Sequence, residues 1–398
     1  MIYKTIPLFL CAVVFFSSCK KDETAQKIID PNDTIPSDLV ADSLLINQIQ
    51  VIGSHNSYRT KTDELIFDFV QNLGSLLPAN LDPDGWDYTH VPLPEQFSDY
   101  GIRQIELDIY HDPAGGRFYN RMGNQLVNEP TESGIADLNL PGLKVMHITD
   151  LDYNTNYITF KQALQAVKDW SDGHPSHLPI FILIETKETS LVGVVPFFTW
   201  TETLPFDVAA MNALDEEIMD VFGEDLHNLI TPDVVRGSFA TLEEAVTTRG
   251  WTSVGDSRGK VVFLLDNGGD AADFYLQGHP SLQGRILFVS GERGDAHAAF
   301  VKRNNPFETD IEQLVADGYL IRTRSDSETD EARTGDVTKR DRAFASGAQL
   351  ISTDYYRADP RSDTSSEWSN YSVRLPNNEV ARLNPVNGPE SFIGGPIE

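Results

Sequence analysis

The chain has 398 residues, and its 31 lysines and arginines are outnumbered by 60 aspartates and glutamates, a formal net charge of −29. That balance argues against a nucleic-acid partner and predicts repulsion from bulk anionic lipid, so any work on an anionic head group must rest on a local site. The only two cysteines, Cys11 and Cys19, lie close to the start of the chain, which excludes disulfides and thiol catalysis from everything downstream.

The first predicted element is a leader, residues 1–18. The apolar stretch from Ile6 to Phe16 is too short to span a bilayer and has the length of a signal-peptide core. It runs into FSSC, small residues before Cys19, which resembles the lipobox of bacterial lipoproteins. The resemblance implies export, lipidation of Cys19 and anchoring in the cell envelope, at the outer membrane or cell surface. Residues 19–44, opening with KKDETAQKIIDPNDTIPSD after the cysteine, are polar and predict a flexible tether. A body over 45–384 and a C-terminal tail over 385–398 complete the organisation, with no internal repeat, no second long linker and no protein partner evident.

Eight short apolar runs in the body read as strands: 49–55, 102–110, 143–149, 179–186, 260–266, 285–291, 319–325 and 348–356. Helical patterns lie between several of them, such as TFKQALQAVKDWSD after the third, IEQLVADG before the seventh and VTKRDRAFASG before the eighth. Continuous rather than alternating apolar strands suit a parallel sheet buried on both faces. Eight of them with crossover helices predict an α/β fold, a distorted (β/α)8 TIM-like barrel, with a doubly wound open sheet as the alternative. A large insertion follows strand four and contains the helix pattern DVAAMNALDEEIMDVFG; the crossover from Asp112 to Pro141 reads as loop.

In a parallel barrel the strand C-termini converge on one mouth, and polar residues fall there repeatedly. The first run ends in His55 and Asn56, the second carries Glu106 and Asp108, the third His147, the fourth Glu185 and then Lys187, the seventh Arg322 and Arg324, the eighth Asp354 and Tyr355. Glu106 and Asp108 are two apart and so share a strand face, opposite Ile105, Leu107 and Ile109. Crowded carboxylates call for a cation or a proton. Asn56, Glu106, Asp108 and Glu185 offer oxygen and no sulfur, a donor set for Ca2+ or Mg2+. His55 and His147 on either side of such an ion suit a general base and a general acid at a phosphate.

The motifs GSHNSY, IELDIY, GLKVMHITDLD and FILIETK, with a closing segment running from IRTRSDSETDEART to ISTDYY, resemble in order and spacing the calcium-dependent phosphatidylinositol-specific phospholipases C, from about residue 50 to about 357. The resemblance implies Ca2+ on Asn56, Glu106, Asp108 and Glu185, and His55 and His147 as the acid–base pair. It further implies cleavage of a phosphatidylinositol-type phospholipid to diacylglycerol and a cyclic inositol phosphate, which can be hydrolysed further. Lys187 and Arg322 are then candidates for phosphate contact and Tyr355 for packing on the sugar ring. Two departures leave alternatives. A long loop between Glu106 and His147 makes His111 a rival second histidine, and the ETK of strand four is close to the pattern of glycerophosphodiester phosphodiesterases. A surface-binding lipoprotein that keeps the barrel without the chemistry is the third reading.

Overall fold

A computed structural model of the chain describes residues 41–74, 83–193, 198–392 and 394–398. Residues 1–40, which hold the expected leader, Cys19 and most of the expected tether, lie outside the described residues, all of which belong to one compact unit, Pro36–Glu398. Within it, Ala41 and Leu44 already pack in the main core, and so does Ile397.

The strands are β1 (Ile49–Ser54), β2 (Gln104–Tyr110), β3 (Lys144–Val145), β4 (Ile180–Thr186), β5 (Val261–Leu265), β6 (Leu287–Val289), β7 (Phe300–Lys302), β8 (Leu320–Arg324), β9 (Leu350–Thr353) and β10 (Ala381–Leu383). Eight of them run in the order β6-β5-β4-β2-β1-β9-β8-β7 with parallel pairing. Because β9 lies beside β1, chain order passes round a ring and returns to its start, which distinguishes a barrel from a doubly wound sheet whose order reverses. The ring is nearly closed: between β6 and β7 it is joined by a single parallel bridge, Ser290 to Phe300, which leaves a seam.

The count of eight agrees with the sequence, but one member differs. The run at 143–149 is no barrel strand. Only Lys144 and Val145 extend, antiparallel to the end of β2, because the chain turns back directly afterwards. Ile148 and Asp152 exchange backbone hydrogen bonds of 3.1 and 3.0 Å, with Asp150 at a positive φ of 72° between them. The place in the barrel is taken by β7, three residues that were too short to register as a run. The expected helices are all present, at Phe160–Gly173, Val208–Phe222, Ile311–Ala316 and Thr338–Ala345. The first opens on a capping box in which Thr159 and Gln162 satisfy each other's backbone N–H groups, worth about 1 kcal/mol. Its Phe160, Ala163, Leu164 and Val167 are buried in the main core.

β1 is crowded on one edge. β10 pairs antiparallel with Ile49–Val51, and β2 meets β1 only at Gly53 and Gln104. A Cβ on Gly53 would lie 1.9 Å from Gln104 Oε1 and 2.8 Å from Gln104 Cβ, so this close approach requires glycine.

Candidate functional site

Strand register assembles the site. Asp108 pairs with Glu185, Glu106 with Leu183, Arg324 with Ser352, and Gly53 with both Gln104 and Ser352. Since side chains alternate, these partners face one way, and the residues two further on, His55 and Asp354, continue the same rows past the strand ends.

Glu106, Asp108 and Glu185 bring one oxygen each within 4.8 Å of one another. Asn56 lies on the turn after β1, where its backbone takes a positive φ of 44°. That turn is pinned on both sides: His55 N–H donates to Thr353 O at 2.9 Å and Ser57 N–H to Glu106 O at 2.9 Å. Asn56 Nδ2 donates to the Tyr88 hydroxyl at 3.2 Å, while its Oδ1 is buried without a partner. Both oxygens of Asp108 are likewise buried without a hydrogen bond, their nearest cation being Lys187 Nζ, 3.3 Å from Oδ2. Burial pushes the Asp108 carboxyl well up, against the pull of Lys187 and with added repulsion from Glu185 and Glu106. Orphaned oxygens in an all-oxygen donor set fit a hard divalent cation.

Lys187 also lies 3.1 Å from Glu185 Oε1. Burial opposes its charge, but Asp108 and Glu185 hold the ammonium above the usual lysine range. Arg322 is buried and reaches Glu106 Oε2 at 2.6 Å, with Asn304 and Ser352 as further partners. Tyr355 is buried too, its hydroxyl unpartnered and its ring 6.3 Å from Tyr88 and 6.4 Å from Trp368.

His55 Nε2 is 3.7 Å from Glu106 Oε1, and Nδ1 is 2.8 Å from Asp354 Oδ1. Arg324 donates to Asp354 Oδ2 at 2.9 Å and lies 3.5 Å from His55 Nε2. Burial disfavours the Asp354 charge, but His55 and Arg324 hold the carboxyl far below the usual range. Its neighbour Asp326 is pushed up to about 6 by burial and by the Asp354 charge.

His147 follows β3 on the turn rather than standing on a strand. Its Nδ1 is 2.8 Å from Asp152 Oδ2, which the same turn brings back beside it. Asp152 in turn holds Arg59 Nε at 2.6 Å. Burial raises the Asp152 carboxyl, and Arg59 and His147 outweigh it, bringing it to about 2. Burial lowers His147 below the usual histidine range, partly opposed by Asp152. The rival His111 has no such support: its Nδ1 is buried and unpartnered, and its ring lies 5.7 Å from Phe206.

The structure thus gathers Glu106, Asp108, Glu185 and Lys187 in one group with His55 on its edge, and sets Asn56 on the turn whose next residue, Ser57, bonds to the Glu106 backbone. The residues that sequence reasoning did not assign to the site are the ones that orient the histidines: Asp354 and Arg324, which its strand-end pattern contained, and Asp152 and Arg59, which only the turn at 148–152 explains. His90 is a further one, its Nε2 2.8 Å from the His55 backbone oxygen.

A family model described as phosphoinositide phospholipase C, Ca2+-dependent, matches residues 44–385. No curated protein matches the chain. Among solved structures the chain is similar to a calcium-dependent phosphoinositol-specific phospholipase C from the Gram-negative bacterium Pseudomonas sp. In one apo crystal form the TM-score is 0.50 at 15% identity, covering 86% of this chain and 96% of that one. In its myoinositol complex the TM-score is 0.50 at 16% identity, covering 87% and 97%. A Ca2+-dependent phosphatidylinositol-specific phospholipase C from Streptomyces antibioticus matches with a TM-score of 0.46 at 17% identity, over 79% and 95%. At 15–16% identity the likeness to the Pseudomonas enzyme shows the fold alone.

Proposed function

Because the chain belongs to the Ca2+-dependent phosphoinositide phospholipase C family, we propose that it cleaves a phosphatidylinositol-type phospholipid to diacylglycerol and a cyclic inositol phosphate, with His55 and His147 as base and acid. The observation that carries this reading is the cluster of three carboxylates within 4.8 Å, with a histidine nitrogen 3.7 Å from one of them and unpartnered oxygens on Asn56 and Asp108. Asn56, Glu106, Asp108 and Glu185 would hold the Ca2+. When bound, the ion lowers the pKa of the attacking inositol hydroxyl and balances charge on the phosphate.

The chain's own residues do the rest. With Nδ1–H turned to Asp354, His55 presents Nε2 toward the acidic group as the acceptor of the hydroxyl proton. With Nδ1–H turned to Asp152, His147 keeps Nε2 to hand a proton to the departing diacylglycerol oxygen. Burial of His147 favours release of that proton. The Lys187 ammonium, 3.3 Å from Asp108 and 3.1 Å from Glu185, would supply a positive charge to a phosphate oxygen beside these carboxylates. Arg322 stands behind Glu106 as its buried ion-pair partner.

The purified protein should release diacylglycerol from phosphatidylinositol vesicles with Ca2+ and stop when a chelator is added. Release that continues unchanged in excess chelator, or no release under either condition, would overturn the proposal. We place the enzyme outside the cytoplasm, held to the envelope through a lipid on Cys19, on the strength of the apolar leader and FSSC. Cys19→Ser should yield protein that no longer sediments with membranes; a variant that still sediments and retains an acyl mass refutes the anchor.

A further inference from the structure

His147 and Arg59 meet on one oxygen atom. Asp152 Oδ2 lies 2.8 Å from the imidazole Nδ1 and 2.6 Å from the guanidinium Nε, while its Oδ1 accepts from Thr62 Oγ1 at 2.7 Å. Arg59 is wholly buried. Its Nη2 donates to Thr62 at 2.7 Å and its Nη1 to Tyr88 O at 2.5 Å, and its guanidinium lies 4.5 Å from the centre of the Tyr88 ring. Its backbone N–H donates to Asn56 O at 2.9 Å. One residue therefore reaches from the turn that carries the first histidine to the carboxylate that orients the second. A buried ion pair is a poor device for stability alone, since apolar side chains of similar volume do as well. A shared oxygen is a good device for orientation, because a carboxylate held by three donors cannot rotate away from the imidazole.

We infer that Arg59 is a positioning residue for His147, acting through Asp152 to fix the imidazole and to keep part of the carboxylate charge for itself, so that the imidazolium parts readily with its proton. The inference rests on the acid role proposed for His147. The charged and titratable groups facing His147 are Asp152 and Arg59, Lys187 beyond the end of β4, and Tyr110 of β2, whose hydroxyl donates to the His147 backbone oxygen at 3.2 Å. The Trp86 ring stands edge-on 6.3 Å away. Burial, Lys187 and Arg59 all favour the neutral imidazole, and Asp152 alone opposes them.

Arg59→Met removes the charge, Arg59→Lys keeps it without the fork, and Thr62→Val removes only the hydroxyl beneath Asp152. Arg59→Met should lower kcat on a diacylglycerol ester by about tenfold with KM unchanged, and leave a nitrophenyl inositol phosphate within about twofold, because a nitrophenolate departs without a proton. The His147 titration, followed by NMR, should move to higher pH together with the falling limb of the pH–rate profile. Arg59→Lys should restore part of the loss, and Thr62→Val should shift both readouts in the same direction by less. These two variants carry the test if Arg59→Met does not fold. Equal losses on both substrates with an unmoved His147 titration would make Arg59 structural and overturn the inference. His147→Ala, run alongside, separates the two levels. If it shows leaving-group dependence and the Arg59 and Thr62 variants do not, Arg59 alone loses its role. If it shows none, the acid assignment fails and the inference falls with it.

Discussion

Each histidine is held by an aspartate that is itself held by an arginine, yet the two assemblies are built differently. His55, Asp354 and Arg324 extend from the ends of three neighbouring strands, β1, β9 and β8, whose register aligns them. His55 takes Oδ1 and Arg324 takes Oδ2, one oxygen each. His147, Asp152 and Arg59 stand on turns, and the imidazole and the guanidinium share a single oxygen. Arg324 keeps 17% of its side chain exposed, whereas Arg59 keeps none. A base that must accept a proton is given a carboxylate oxygen of its own. An acid that must release one shares its oxygen with a competing cation. Rigid strands set the first; a buried charge network replaces them in the second.

The largest expected contrast is in turnover. His55→Ala should lose about a hundredfold to ten-thousandfold on every substrate, while His147→Ala should lose that much only where the leaving group is an alkoxide and little where it is a nitrophenolate. The comparison breaks if both variants respond alike, or if His111→Ala shows the leaving-group dependence instead.

Stability should separate the two aspartates next. Asp152→Ala strands a fully buried Arg59 and is expected to destabilise by about 3–5 kcal/mol. Asp354→Ala should cost measurably less, because Arg324 reaches solvent. Denaturant midpoints measured on both decide it, and equal losses would show that exposure of the arginine is immaterial.

Between the two histidines the carboxylates should also divide. Asp108→Asn and Glu106→Gln should each weaken Ca2+ binding by about a hundredfold in calorimetric titration. Without Ca2+ their effects should have opposite signs. Asp108→Asn relieves repulsion at a carboxyl that burial already disfavours, and raises Tm. Glu106→Gln removes the charge opposite buried Arg322 and lowers it. A Tm that moves the same way in both variants would sink this distinction.

Gly53→Ala is the smallest test. Its methyl must displace Gln104 at the only β1–β2 pair, at a cost of about 1–3 kcal/mol, and should disturb His55 rather than His147. Histidine NMR shifts would show which of the two moves.

The same contrast explains what could be read from the sequence. Strand-borne features were legible because apolar runs mark strands, and period-two alternation puts Glu106 beside Asp108 and Arg322 beside Arg324 without further information. β7 escaped because three residues make no pattern, and β10 because its antiparallel pairing with β1 joins segments more than three hundred positions apart. The run at 143–149 looked like a strand by composition; what ends it is a backbone turn at Asp150 that a single sequence does not announce. Asp152 and Arg59 were invisible for the same reason. Their meaning is a contact across 93 positions, and neither belongs to any periodic row.

The seam between β6 and β7 also bears on how the chain could be rewired. The segment that crosses it, Glu292–Asp295, is exposed, and the Ser290–Phe300 bridge, with the Lys302 N–H donating to Ser290 Oγ at 3.0 Å, ties the two strands there. At the opposite end of the connectivity, Arg258 touches both Asp42, at 2.7 Å, and the Ile397 backbone oxygen, at 2.9 Å. A circular permutant that joins residues 41 and 398 through a short glycine–serine linker and opens the chain between Arg293 and Gly294 keeps every strand pairing on either side of the cut. It would have β7, β8 and β9 synthesised ahead of β1, so the arc bearing Arg324 and Asp354 would wait for the histidine it orients instead of arriving after it.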